Sequence, residues 1–270
     1  MTRALTVVVP VFNAVEQLDR CLPAVYRSVD RSTRVIVIDD ASTDPAIAPL
    51  LERNSDWCEV YRNSENRGFV ATANIGLQMA GDDDVVLLNS DTVPAGRWLQ
   101  QIGACAAADH RIASITPWSN NAEIVSLPEL CIAAPIPDDP EAWARACEGH
   151  APEWPDLPTA VGFCMYLRRD CVDRIGDFDE AAFGRGYGEE NDWCMRAMHA
   201  GWRNVLCDTA FVAHEGSASF APLGLKPDQR SMQRLLAKHP DYLARVQLFI
   251  ASDPLAGLRR QILAQLDCGE

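Results

Sequence analysis

The chain has 270 residues, 48% hydrophobic and 23% charged, which supplies ample apolar material for a core and excludes disorder over most of its length. Its 24 basic and 38 acidic residues leave a formal charge of −14, which excludes a general polyanion binder, because a phosphate backbone needs a basic surface. A nucleotide ligand would meet repulsion unless cations or helix N-termini were set against it, and a bound divalent metal would remove that difficulty.

In chain order, the first apolar run is Leu5 to Val11, too short for a signal h-region followed by a cleavage site. Two more runs, Arg34 to Ile38 and Val85 to Leu88, are also rich in Val and Ile, and all three predict buried parallel strands. Helix-length segments separate them, at about 14–29, 45–53 and 70–79. This alternation predicts an open α/β sheet, in which ligands bind beyond the carboxyl ends of the strands.

The residues that close each run are therefore the ones to inspect. The first turn, Pro10-Val11-Phe12-Asn13-Ala14, lacks the glycines that let a backbone approach a dinucleotide pyrophosphate, which weighs against a nicotinamide or flavin enzyme. Asp39, closing the second strand, either accepts a hydrogen bond from a ribose or base edge, or joins Ser42 and Asp44 in an Asx turn and N-cap before Pro45. Asn89-Ser90-Asp91 sets short oxygen-bearing side chains at the mouth of a central strand. Mg²⁺ and Mn²⁺ take hard oxygen ligands and bridge to substrate phosphates, so Asp91 is the predicted metal ligand. The more acidic run Asp82-Asp83-Asp84 precedes its strand and is expected at the opposite, solvated edge.

From Pro117 to Pro158 the composition reads as a long excursion around a helical patch near Glu141 to Cys147. Apolar pattern resumes at Ala160 to Leu167, followed by the Gly-rich stretch Gly184-Arg185-Gly186-Tyr187-Gly188 and a helix over about Glu189 to Ala200. Acidic residues at that helix start complement the dipole whatever else they do. Counting by three and four from Glu190 reaches Trp193, Cys194, Ala197 and Met198, so Glu190 points inward and suits a general base. His214, after the run Ala210 to Ala213, is either structural or a neutral imidazole that completes the coordination begun by Asp91.

From Pro227 onward the pattern is helical, and the amphipathic segment Leu258 to Leu266 either packs back on the domain, pairs with another subunit, or touches a membrane surface. The ten cysteines, Cys21 to Cys268, show no CxxC pair, which predicts reduced thiols. No stretch approaches the roughly 20 apolar residues of a spanning helix. The expectation is a cytoplasmic protein, with peripheral attachment at the inner face of the membrane left open.

In order, Val9-Pro10-Val11-Phe12-Asn13, Val37 to Asp44, Glu65-Asn66-Arg67-Gly68-Phe69, Leu87 to Thr92, Gly186 to Arg196 and Val212-Ala213-His214 resemble the inverting family 2 glycosyltransferases of GT-A fold, over about Leu5 to Phe220. Bacterial enzymes of surface polysaccharide or O-antigen synthesis look most alike. The resemblance implies a Rossmann-like, mixed and mostly parallel sheet flanked by helices over residues 1–225, with a C-terminal helical extension over 226–270. It implies that Pro10, Phe12, Asn13, Asp39, Asn66, Gly68 and Asn89 hold the donor nucleotide, and that Asp91 and His214 hold Mn²⁺ or Mg²⁺. Asn89 stands where the family's DxD-type motif has its first Asp. Glu190 maps to the catalytic base, with Glu in place of Asp.

The implied reaction moves a sugar from a nucleotide-diphosphate donor to a hydroxyl of a glycan or lipid-linked glycan. Trp118, Asn120, Asn121 and Trp193 are candidates on the acceptor side. No QxxRW-type motif appears, which disfavours a processive synthase. Two rivals stand beside this reading: a sugar-phosphate nucleotidyltransferase, which would want a basic Gly-rich first turn, and a catalytically silent sugar-nucleotide or glycan-binding module.

Overall fold

The computed structural model describes residues 3–216 and 229–267. Ser217 to Phe220, the expected boundary at 225/226 and Cys268 lie outside the described residues. The expected apolar runs form the centre of a sheet: β1 (Leu5–Val11) lies parallel between β2 (Arg34–Asp39) and β4 (Asp84–Leu88), with Val7 opposite Val35 on one side and Val86 on the other. All three strands are buried on both faces, which is why their sequences are continuously apolar.

Five strands complete it: β3 (Glu59–Arg62), β5 (Thr92–Pro94), β6 (Ile112–Trp118), β7 (Cys164–Leu167) and β8 (Arg203–His214). Their order is β3-β2-β1-β4-β7-β6-β8-β5. β7 is antiparallel to both β4 and β6, β5 is antiparallel to β8, and the other pairings are parallel. The sheet is mixed and mostly parallel, as expected.

Helices cover both faces. α1 (Val15–Ser28), α2 (Ile47–Asn54) and α4 (Trp98–Ala108) share one core with Val7 and Val9. α3 (Phe69–Met79), α6 (Arg169–Ile175) and α8 (Glu189–His199) share the other with Val8. Successive β1 side chains thus serve opposite layers, the two-residue period of a strand. A short α7 (Glu180–Phe183) precedes α8.

The excursion begins later than its composition suggests. Pro117 and Trp118 belong to β6, whose seven residues are all buried. Proline cannot donate to a ladder, and the pairing with β8 shifts register between Pro117 and Trp118, so this strand carries an irregularity where its sequence reads as a loop. Beyond it, the helical patch is α5 (Pro140–Glu148), capped by Asp139, whose side chain accepts the amide of Ala142. α9 (Gln229–Lys238), α10 (Tyr242–Ser252) and α11 (Ala256–Asp267) follow, and α11 buries Leu258 and Ile262 in the core that holds Trp98, alongside α5. The nine cysteines among the described residues are free thiols.

Close packing of α3 on β1 depends on Gly76, where an added Cβ would meet Val8 Cγ1 at 2.3 Å. Gly76→Ala should therefore lower stability by about 1–3 kcal/mol in a urea titration, although alanine on an exposed helix would gain about 1 kcal/mol.

Candidate active site

A cavity of about 330 Å³ opens where β1, β2 and β4 end, within the usual size of a small-molecule site. Pro10 and Phe12 line it from the β1 end, Asn66 and Gly68 from the start of α3, Asn89 and Asp91 from the β4 end, and Glu190 from α8. Asn121 and His214 also line it, so most of the expected site residues converge on one space.

One side of the cavity is organised by Asp40, just past the end of β2. Its carboxylate accepts hydrogen bonds from Asn63 Nδ2 at 2.7 Å and from the amides of Arg67 and Gly68 at 2.8 Å, pinning the loop before α3. Asn66 Nδ2 donates to the Asp40 carbonyl, while Asn66 Oδ1 is buried with no hydrogen-bond partner, an acceptor left over for a ligand. Gly68, at φ 85°, is required because a Cβ there would lie 3.0 Å from Arg185 Cα.

Two expected nucleotide contacts are placed differently. Asp39 is fully buried and does not line the cavity; its carboxylate accepts from the Ser42 amide and pairs with Arg62. Asn13, at φ 55°, is also outside the lining. Its Oδ1 accepts from the amides of Thr43 and Asp44 and its own amide donates to Ser42 Oγ, so it ties the first turn to the second.

The opposite wall joins Asp91 to His214. The three residues of β5 pair with the end of β8, Thr92 against His214, and the Glu215 amide donates to the Asp91 carbonyl. His214 Nε2 then sits 3.4 Å from Asp91 Oδ1. His214 Nδ1 donates to the Asn121 carbonyl at 2.7 Å, and the ring stacks on Phe163 at a centroid distance of 5.1 Å. Burial opposes the charged imidazole, but the adjacent Asp91 carboxylate and the Asn121 carbonyl together raise its pKa above the ordinary value.

Fixing Nδ1 as the donor leaves Nε2, which is buried without a hydrogen-bond partner, as a ligand atom beside a carboxylate. The pair fits a divalent cation. No group of three or more His, Cys, Asp or Glu positioned to hold a metal occurs among the described residues. Asp83 and Asp84 lie at the other end of β4, as expected, but Asp84 opens the strand and is buried, not solvated: Asp83 accepts from Thr6 Oγ1, and Asp84 from Tyr166 and the Arg169 amide, which satisfy its carboxylate in the core.

The acceptor-side candidates divide. Trp118 is fully buried beneath Arg259 and donates to the Asp208 carbonyl; Trp193 is fully buried and donates to the Gly176 carbonyl. Both are core residues, not wall residues. Asn120 is scaffolding: its Oδ1 accepts the His214 amide and its Nδ2 donates to the carbonyls of His214 and Ala134. Asn121 alone of the four faces the cavity. Asp40, Glu123, Glu189, Arg185 and Tyr187 also line it and were not expected there. Helical counting had singled out Glu190 and left Glu189 aside, whereas both line the cavity; of Asp39 and Asp40, only Asp40 does.

Glu190 lines the cavity from the first turn of α8. Burial pushes its carboxyl up to about 6, against backbone amides at the helix start that pull it down, and Glu123 adds to the rise. Burial and the neighbouring Glu190 push the Glu189 carboxyl well above its ordinary value. Glu190 Oε2 is buried with no hydrogen-bond partner.

The sequence profile described as "Glycosyl transferase family 2" matches residues 6–176. A pre-mycofactocin glycosyltransferase of Mycobacterium tuberculosis is 30% identical over 225 residues, covering 79% of this chain and 43% of that protein. The chain thus spans less than half the length of that relative. An N-acetylglucosaminyl-diphospho-decaprenol L-rhamnosyltransferase of the same species is 24% identical, covering 81% and 78%. Among solved structures, GalNAc-T7 with UDP, GalNAc and Mn²⁺ superposes with a TM-score of 0.64 at 16% identity, over 97% of this chain and 54% of the other. The mannosyltransferase PcManGT from Pyrobaculum calidifontis, in complex with GDP-Man and Mn²⁺, gives 0.57 at 15%, over 98% and 86%. These two share the GT-A fold with this chain.

Glu190 is costly to the fold. A carboxyl raised on folding from 4.5 to about 6 binds its proton more tightly in the native state, so stability falls as pH climbs through that window and the full cost is present above it. Glu190→Gln should accordingly stabilise the protein at pH 8 by on the order of 2 kcal/mol and have little effect at pH 4, read by denaturant titration at both values.

Proposed function

The chain belongs to glycosyl transferase family 2, and from that premise we propose that it transfers a sugar from a nucleotide-diphosphate donor to a hydroxyl of a glycan or lipid-linked glycan, with inversion. The observation that carries the reading is the placement of Glu190 Oε2, buried and without a partner, in the cavity that also holds Asp91 and His214. Pro10, Phe12, Asp40, Asn66 and Asn89 hold the nucleotide side, and Asn66 Oδ1 supplies an unpaired acceptor.

Glu190 takes the proton of the acceptor hydroxyl. The oxygen so freed attacks the anomeric carbon from the face opposite the nucleotide diphosphate, the C–O bond to the diphosphate breaks, and the diphosphate leaves with the electron pair. Asp91 and His214 would hold Mn²⁺ or Mg²⁺, which supplies neutralising charge to the diphosphate. Arg185, in the Gly-rich loop, adds a cation to a wall otherwise dominated by carboxylates. A carboxyl near 6 is matched to this role: ionised at neutral pH yet basic enough to draw a proton in the transition state.

Residues 226–270 act in this reading as an extension of a catalytic domain over 1–225. Participation in cell-surface polysaccharide synthesis accords with the glycan-building rhamnosyltransferase relative. No helix among the described residues is long and apolar enough to cross a membrane.

Glu190→Gln should lower turnover by roughly 10²–10⁴-fold and leave metal-supported donor binding intact; near-normal turnover by the variant sinks the assignment. In a thermal-shift screen of nucleotide sugars, the true donor should raise the melting temperature by several degrees with Mn²⁺ at saturating concentration, about 2.7 kcal/mol at 100 times Kd. Asp91→Ala and His214→Ala should each remove most of that shift, and a shift unaffected by both would place the metal elsewhere.

A further inference from the structure

The side chain after the base has its polar atoms engaged in one arrangement. Asn191 Nδ2 donates to Glu190 Oε1 at 3.2 Å. Asn191 Oδ1 accepts two hydroxyls, Thr159 Oγ1 at 2.8 Å and Tyr242 OH at 2.8 Å. Thr159 precedes β7, whereas Tyr242 opens α10, so the amide is gripped from two parts of the chain that meet only on folding. With both hydroxyls on its oxygen, the amide can turn only its NH₂ toward the carboxylate. One oxygen of Glu190 is thereby engaged and the other, Oε2, is left bare.

The C-terminal helices are fastened to α8 independently of Tyr242. Asp192, fully buried, pairs with Lys238 at 2.6 Å and His239 at 2.9 Å, both at the end of α9, and with Arg196 on its own helix at 2.8 Å. Three positive or donor groups offset the burial of that carboxylate. Tyr242 follows four residues after Lys238 and is 7% exposed, so its hydroxyl is delivered to Asn191 by a helix pair already anchored one residue further along.

We propose that Asn191 is a positioning residue for Glu190, held by Thr159 and by Tyr242 of the C-terminal helices, which selects Oε2 as the oxygen that receives the acceptor proton. This rests on Glu190 being the base. The C-terminal segment then takes part in catalysis through a hydrogen-bond chain, Tyr242 to Asn191 to Glu190, without touching substrate.

The other groups that bear on Glu190 are Glu189 on the same helix, Glu123 from the loop after β6, Tyr187 of the Gly-rich loop and Cys194 one turn on. Among the described residues, no hydrogen bond joins Glu189, Glu123 or Cys194 to the Asn191 side chain, so the Asn191 amide acts on Glu190 through the contact at Oε1.

The experiment is a double-mutant cycle on the full chain, read in two ways. The first is titration of the Glu190 carboxyl by ¹³C NMR with glutamate-labelled protein, its signal assigned by loss in Glu190→Gln; this needs no donor. Asn191→Ala should raise the midpoint by about one pH unit, because a donor to the ionised form is gone. Tyr242→Phe should raise it by less, and Tyr242→Phe should have no further effect in the Asn191→Ala background.

The second reading is turnover of the donor found by thermal shift, where Asn191→Ala should lower kcat roughly tenfold with donor KM unchanged and the same non-additivity with Tyr242→Phe. An unmoved midpoint in Asn191→Ala, or additive effects of the two substitutions, overturns the proposal. Full activity of Glu190→Gln instead overturns the base, whatever the titration shows, so the two failures are told apart.

Discussion

Everything chemical in this fold depends on a short antiparallel clasp. Three residues after the Asn89-Ser90-Asp91 turn pair with the last three of β8, and this pairing brings Asp91 against His214. The two lie more than a hundred positions apart in the chain. Asn120 closes the clasp from the third side by holding both the amide and the carbonyl of His214. The backbone carbonyl of its neighbour Asn121 sets the ring tautomer, so two adjacent asparagines of the excursion, one by side chain and one by backbone, fix where the imidazole sits and which nitrogen it offers.

The two walls of the cavity are made acidic for different reasons. Asp40 is spent on architecture, its carboxylate drawn onto backbone amides of the loop it pins. Glu190 keeps an oxygen unsatisfied in a desolvated place at a helix start, and its pKa reflects burial winning over the amides. A helix N-terminus normally favours a carboxylate. Here the helix-start amides pull down the rise that burial causes, so the group stays at about 6, while Glu189 beside it is pushed well above its ordinary value. Of the acidic groups facing the cavity, Asp40 is hydrogen-bonded to backbone amides and Asp91 lies beside His214, which offsets part of the net charge of −14 at this place.

What was legible in the sequence was whatever has a short period. The runs of β1, β2 and β4 are buried on both faces and match their strands to within a residue, and Glu190 was placed inward by helical counting alone. β6 was obscured by Pro117, which breaks the ladder at an irregularity that no local pattern announces. β3 was missed because all four of its residues are exposed at the sheet edge. Trp118 and Trp193 carry the aromatic chemistry of a sugar platform, but each is claimed by the core through contacts far away in sequence. Asp39 and Asp40 could not be told apart by type: the former ends its strand under Arg62, and the latter is the first residue free to turn toward the cavity. The roles of Asn120 and Asn191 rest on partners up to 94 positions distant, beyond any motif.

Gly68 and Arg185 touch where the start of α3 meets the Gly-rich loop, and the Phe69 amide donates to the Arg185 carbonyl across that contact. The loop that opens α3 and the Gly-rich loop before α8 are therefore joined by backbone, and together they wall one side of the cavity. Neither loop can shift by itself without giving up that hydrogen bond, so the two stretches of sequence that carry Asn66 and Glu190 share one backbone seam.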